Sequence, residues 1–262
     1  MNTNIITNKY ALSLFVILCL FLLDVALHSG MSRVIAHSSF YDRIAPINLP
    51  VCAHRIVAKD KNWASGITKL ILQKLPVNIA GIQCDLYYDQ EANIFRIAND
   101  RSTIDEFFEV YSSKKLSAAV WLTLKNINNQ NLHFYFTELM RLKNKFGGSQ
   151  KIMIESTAAE LLRSFCDSGI LTTYRVPVFD PYRATEYEIK KFADSVRSNL
   201  RAYPASAISA DYLQYPALKK FFPNYPILTW VALSPVSVVS YVLRRQLEKD
   251  EHITVILTPF KE

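Results

Sequence analysis

Two short stretches in the first third of this chain carry residues suited to chemistry. Gly81-Ile82-Gln83-Cys84-Asp85-Leu86-Tyr87-Tyr88 is apolar and aromatic enough for a buried strand, yet it holds Gln83 and Asp85 two positions apart. Period-two geometry puts both side chains on one face of such a strand. Upstream, His54-Arg55 closes a short apolar run, Leu49–Ala53. Histidine exchanges protons near neutral pH, arginine forks onto phosphate or carboxylate, and a carboxylate can hold a hard cation. The pattern also has a plain reading, a satisfied polar pair inside a barrel and a surface His-Arg.

Bringing both stretches to one place requires parallel strands that end together. A (β/α)8 barrel does this and gathers its chemistry at the strand C-termini. The chain has 262 residues, 50% of them hydrophobic and 20% charged, enough for one large core. From residue 49 onward it alternates strand and helix. Expected strands are Leu49–Ala53, Ile79–Tyr88, Ala118–Leu124, Lys151–Glu155, Leu171–Val178, Ala207–Ala210, Ile227–Leu233 and Ile253–Leu257, with a short extra strand Ile94–Ala98 after the second. Expected helices include Asn62–Leu75, Ser102–Ser113, Asn131–Phe146, Thr157–Ser168 and Thr185–Arg201, and one that Ser234 caps with Pro235 at its first position. The fold class is therefore α/β, a single TIM-type barrel over 49–262.

Ahead of it, Tyr10–Leu23 is an apolar stretch broken only by Ser13, and Val25–Leu27 extends it past Asp24. Its length fits either a signal peptide or a marginal membrane span. The residues before Gly30 are a poor cleavage context, so an uncleaved anchor over 1–29 is favoured, with a linker over 30–48. Either way the barrel is exported and faces the periplasmic or extracytoplasmic side. The net charge of +7 is scattered and no nucleic-acid motif accompanies it, which points to anionic lipid or a phosphate-binding mouth. Cys19 lies in the apolar helix, while Cys52, Cys84 and Cys166 have no metal-type spacing and read as buried thiols. Strand parity argues against a Cys52–Cys84 bridge.

In order and spacing, Ala53-His54-Arg55, Gly81-Ile82-Gln83-Cys84-Asp85, Asn99-Asp100, Leu122-Thr123-Leu124-Lys125, Leu228-Thr229-Trp230 and Ile256-Leu257-Thr258-Pro259 resemble the glycerophosphodiester phosphodiesterases, within the phospholipase-C-like barrels. The resemblance runs from about Pro50 to Pro259. It implies His-Arg, Glu-x-Asp, His-Asp and Glu-x-Lys motifs and a Trp on the seventh strand, with two histidines as base and acid and with Glu, Asp and Glu holding Ca²⁺ or Mg²⁺. His54, Arg55, Asp85, Asp100, Lys125 and Trp230 match. Gln83 and Thr123 stand where two metal carboxylates are expected, and Asn99 where the second histidine is expected. One carboxylate, an amide and a hydroxyl make a weak site for a hard cation, so the expected cofactor is none or weakly bound Ca²⁺ or Mg²⁺.

The resulting expectation is a degenerate, membrane-anchored phosphodiesterase-like protein. Its catalytic positions would be His54 and Arg55, and its ligand contacts Asp85, Asn99, Lys125 and Trp230. The partner would be a phosphorylated small molecule, lipid headgroup or glycan. Two alternatives remain open: an active phosphodiesterase using His54 with a rearranged acid such as Glu155, and a structural partner in an envelope assembly. Glu155, Arg175 and Asp211 lie near strand ends and read more readily as solvated charges than as site residues.

Overall fold

The computed structural model describes residues 3–36, 45–52, 56, 60–98, 100–146 and 152–260, with side chains described from residue 11. The chain divides into two compact units, Met1–Phe40 with Leu233–Lys249, and Tyr41–Ala232 with Asp250–Glu262.

The larger unit holds a closed sheet. Its strands are β1 (Asn62–Ser65), β2 (Gly81–Asp89), β3 (Ile94–Ile97), β4 (Ala119–Leu124), β5 (Ile152–Ser156), β6 (Leu171–Arg175), β7 (Ala207–Asp211), β8 (Ile227–Trp230) and β9 (Ile253–Pro259). They pair in the order β1-β9-β8-β7-β6-β5-β4-β2-β3, and β1 also pairs with β2, which closes the ring. β3 is antiparallel to β2 and sits outside the ring as a hairpin arm. The remaining eight strands are parallel, a TIM-type barrel. Its helices within this unit are α3 (Lys69–Lys74), α4 (Ile104–Ser113), α5 (Leu132–Phe146), α6 (Ala159–Asp167), α7 (Glu186–Ala202) and α8 (Tyr215–Phe221). Thr103 and Thr185 open α4 and α7 with complete capping boxes to Glu106 and Glu188, which fixes where those helices begin.

The first strand is not where the sequence pattern put it. Leu49–Cys52 has no regular structure, and Asn62–Ser65, expected to open a helix, is instead the first barrel strand. Trp63, Ile67, Leu70 and Ile71 do fall at helical spacing. The backbone turns over at Gly66, however, which has a positive φ of 72°, and the helix starts only after Thr68, whose hydroxyl accepts from the Ile71 N–H. His54, Arg55 and Asn99 lie outside the described residues.

Inside the barrel an apolar layer includes Trp63, Trp121, Met153, Leu171, Ala207, Leu228 and Val255. On β2 the residue of the same parity is Gly81. A Cβ there would stand 2.1 Å from the Trp63 indole, so the absent side chain is what admits the ring.

A disulfide joins Cys52 to Cys166 on α6, with Cα atoms 6.4 Å apart. This corrects the expectation of free thiols at both positions. Cys84 is buried and free, on the outward face of β2 opposite Gln83 and Asp85.

The smaller unit contains α1 (Thr3–Leu27), α2 (Ser29–Ala36) and α9 (Val238–Lys249). Among the described residues no single helix is long and apolar enough to cross a membrane. The segment Ala11–Leu27 together with α2, bent by 91° between them, meets the length and composition requirement.

Candidate functional site at the barrel mouth

The inward positions at the C-terminal ends of the strands follow from parity. Above the apolar layer come Ser65 on β1, Gln83 and Asp85 on β2, Thr123 on β4 with Lys125 just after it, Glu155 on β5, Arg175 on β6, Ser209 and Asp211 on β7, and Trp230 on β8. Strand register sets Asp85 beside Thr123, Thr123 beside Glu155, and Arg175 beside Ser209. A cavity of about 250 Å³ opens here, lined by Ser65, Gln83, Trp121, Thr123, Glu155, Arg175 and Trp230, with Val231, Ala232, Leu257 and Pro259 completing the wall.

A chain of polar contacts crosses this mouth. The Gly66 N–H donates to Gln83 Oε1 at 3.0 Å. A backbone N–H can only donate, so the amide must turn its oxygen to Gly66 and its nitrogen inward. Gln83 Nε2 then donates to Asp85 Oδ1 at 2.9 Å and to Thr123 Oγ1 at 3.1 Å. The Thr123 hydroxyl donates in turn to Glu155 Oε2 at 2.7 Å, and Ser209 donates to Glu155 Oε1 at 2.5 Å. Lys125 Nζ lies 3.0 Å from the other oxygen of Asp85. Arg175 approaches Glu155 to 4.0 Å and lays its guanidinium 4.6 Å from the Trp230 ring centre.

Glu155 is the buried carboxyl of the site, with only 2% of its surface exposed. Burial pushes its pKa above the ordinary carboxylate range, against the opposing pull of Ser209, Thr123, Arg175 and Lys125. It is therefore no solvated strand-end charge. Arg175, beside it on the cavity wall, is not one either. Asp211 behaves differently. Its carboxylate accepts the Leu213 N–H at 3.0 Å and so closes the turn after β7, and burial raises its pKa as well. Asp100, a match in the resemblance, accepts from the Lys69 N–H at 2.5 Å and from Ser102, which makes it a brace for the start of α3. His133 stacks against Phe134 on α5, and His252 contacts Asp250 before β9.

The donor set does not fit Ca²⁺ or Mg²⁺. Of Gln83, Asp85 and Thr123, only Asp85 is a carboxylate. Gln83 presents N–H groups toward the centre, and Thr123 directs its hydroxyl hydrogen bond to Glu155. The ammonium of Lys125 sits against Asp85, supplying the positive charge that a cation would bring. No group of three or more His, Cys, Asp or Glu is placed to hold a metal among the described residues.

Sequence reasoning placed Gln83 with Asp85, and Thr123, Lys125 and Trp230 at strand ends. It overlooked Ser65, Trp121 and Ser209. The period-two run Trp121-x-Thr123-x-Lys125 was the available signal for Trp121, whereas Ser65 was hidden by reading its strand as a helix.

This fold is a (β/α)8 barrel with a polar mouth at the C-terminal ends of its strands. Among solved structures the chain is similar to a phosphodiesterase from Oleispira antarctica in complex with the product sn-glycerol 3-phosphate, at 12% identity and a TM-score of 0.53, covering 76% of this chain and 92% of that one. It is also similar to a glycerophosphodiester phosphodiesterase from Parabacteroides distasonis, at 10% identity and a TM-score of 0.50, covering 77% and 93%. No family profile matches the sequence, and no curated protein matches it. The chain thus has the barrel fold of the glycerophosphodiester phosphodiesterases.

Proposed function

We propose that this is an exported, membrane-anchored phosphodiesterase-like protein that binds a phosphorylated headgroup or glycan at its barrel mouth and no longer performs metal-dependent hydrolysis. The observation that carries the reading is the closed polar network. The three positions that would ligate a cation are bonded to one another, to Glu155 and to Lys125. Arg175 on the face of Trp230 offers a planar cation to an anionic oxygen, with an aromatic wall for the group it carries. A barrel mouth of this size suits a glycerol- or sugar-sized phosphate. The Cys52–Cys166 bridge favours an oxidising compartment, consistent with export. The apolar segment Ala11–Leu27 taken together with α2 meets the length and composition requirement for a span, which supports the anchor reading.

A second reading has one observation in its favour. Glu155, held above the ordinary carboxylate range next to Arg175, has the environment of a general acid, so metal-free cleavage of a phosphodiester is its natural chemistry.

Binding and turnover of glycerophosphocholine and sn-glycerol 3-phosphate by the full chain separate these readings. Saturable binding unaffected by chelator, weakened at least about tenfold by Arg175→Met, with no turnover in Ca²⁺ or Mg²⁺, is expected, tenfold being the worth of one charged contact. Gln83→Glu with Thr123→Glu should raise Ca²⁺ affinity. Chelator-resistant turnover lost in Glu155→Gln would establish the second reading. Strong metal-dependent turnover by the unaltered chain would overturn the first.

A further inference from the structure

The helices of the smaller unit carry a second apolar surface that the barrel chemistry does not use. From Ala11 to Leu23 helix α1 is apolar but for Ser13, and its large side chains from Leu12 to Leu23 are exposed all round. At its end, Asp24 turns inward to the start of α9. Its Oδ2 accepts the Val239 N–H at 3.1 Å, and its Oδ1 pairs with His28 at 2.9 Å. Ser237 reaches His28 Nδ1 at 3.4 Å, and Ser240 reaches the Met31 sulfur at 3.4 Å. These contacts, with Met31 and Val34 of α2 buried, pack α2 against α9 at the end of α1. The 91° bend sets α2 across the axis of α1.

Two stripes divide α9. Val239, Ser240, Leu243 and Leu247 are buried. On the opposite side Val238, Tyr241, Val242, Arg245 and Lys249 are exposed at helical spacing. Just ahead of the helix, Val236 is 92% exposed. Tyr241 and Arg245 are paired, with Arg245 Nε donating to the Tyr241 hydroxyl at 3.2 Å. Valines flanked by a tyrosine and by basic residues, directly beside the end of the apolar stretch Ala11–Leu23, have the composition of a bilayer interface. Tyrosine favours the headgroup level, and Arg and Lys extend toward anionic phosphates.

We infer that the outer stripe of α9, with Val236, rests on the lipid bilayer surface where α1 leaves it, so that α2 and α9 form a foot lying along the membrane plane. This rests on the reading of α1 as a membrane anchor. The foot explains why Asp24, at the end of an apolar helix, bonds to α9. That bond holds the N-terminus of α9 at the level where α1 emerges.

Site-directed spin labelling of the full chain in phosphatidylcholine–phosphatidylglycerol vesicles tests it. With Cys19→Ala, single cysteines replace Leu18, Val238, Tyr241 and Val242 in turn, and accessibility to oxygen is compared with accessibility to a nickel chelate. All but Leu18 lie on the exposed stripe, where a label is tolerated, and circular dichroism checks each variant. Oxygen-dominated accessibility at 18, 238, 241 and 242 is the expected result. Oxygen-dominated accessibility at 18 with chelate-dominated accessibility at 238, 241 and 242 would overturn the foot and leave the anchor standing. Chelate-dominated accessibility at all four would overturn both.

Discussion

At the scale of single residues, Glu155 decides how the mouth responds to pH. Both its oxygens accept hydrogen bonds from within the barrel, and burial raises its pKa above the value it has in the unfolded chain. A carboxyl raised on folding contributes stability that is complete below its unfolded pKa and is lost as pH rises through its folded pKa. Equilibrium unfolding followed from pH 4 to pH 9 should therefore show stability falling on the alkaline side of the ordinary carboxylate range, with Glu155→Gln flattening that limb. An unchanged limb in the variant would show that Glu155 is not its source. The sequence alone allowed Gln83 and Asp85 to be set together, because period two is local. It did not reveal that Glu155 is buried. That depends on register across β4, β5 and β7, which brings Thr123 and Ser209 to either oxygen. Strand ends look alike in sequence whether they face water or each other.

At the scale of elements, the barrel closes where β1 meets β2, and the closure depends on a large residue meeting an absent one. Trp63 fills the space over Gly81, and its indole N–H is tied to the Asp60 carbonyl at 3.0 Å, so the ring has little freedom to move away. Gly81→Ala should cost about 1–3 kcal/mol by overpacking. The melting temperature should fall by roughly 3–10 °C, and Trp63→Phe in the same chain should recover part of the loss. A Gly81→Ala chain that melts with the parent would show that the ring can shift. This junction is also where the sequence pattern misled. Leu49–Ala53 is apolar enough for a strand, and residues 62–75 satisfy helical spacing. Gly66 and the capping residue Thr68 were the local signs that the helix starts later. Most other elements agree within a few residues, because helices α4 to α7 carry clear periodicity and β4 to β7 are short apolar runs between them.

At the scale of the whole molecule, the eight-fold alternation was legible because each strand-helix step repeats the same local pattern, whereas long-range bonds leave no such trace. The Cys52–Cys166 bridge spans 114 positions, and parity arguments between neighbouring strands do not bear on a loop meeting a helix. A disulfide closing a loop of this length contributes about 2–4 kcal/mol. Dithiothreitol should therefore lower the melting temperature of the native chain and leave that of Cys52→Ser/Cys166→Ser unchanged. Equal melting with and without reductant in the native chain would show the bridge to be energetically idle.

The same bridge divides the barrel in a way that its cylindrical symmetry conceals. Within the covalent loop lie β1, β2, β4 and β5, half of the ring together with the hairpin arm, while β6 to β9 follow outside it. A protease that cuts once anywhere between the two cysteines leaves both pieces joined, so the protein persists as one particle until it meets a reductant. Such a nick on the side of the mouth where Gln83, Asp85 and Thr123 sit leaves the chain covalently whole. One beyond Cys166, among the strands that carry Arg175 and Trp230, leaves a fragment with no covalent tie to the rest.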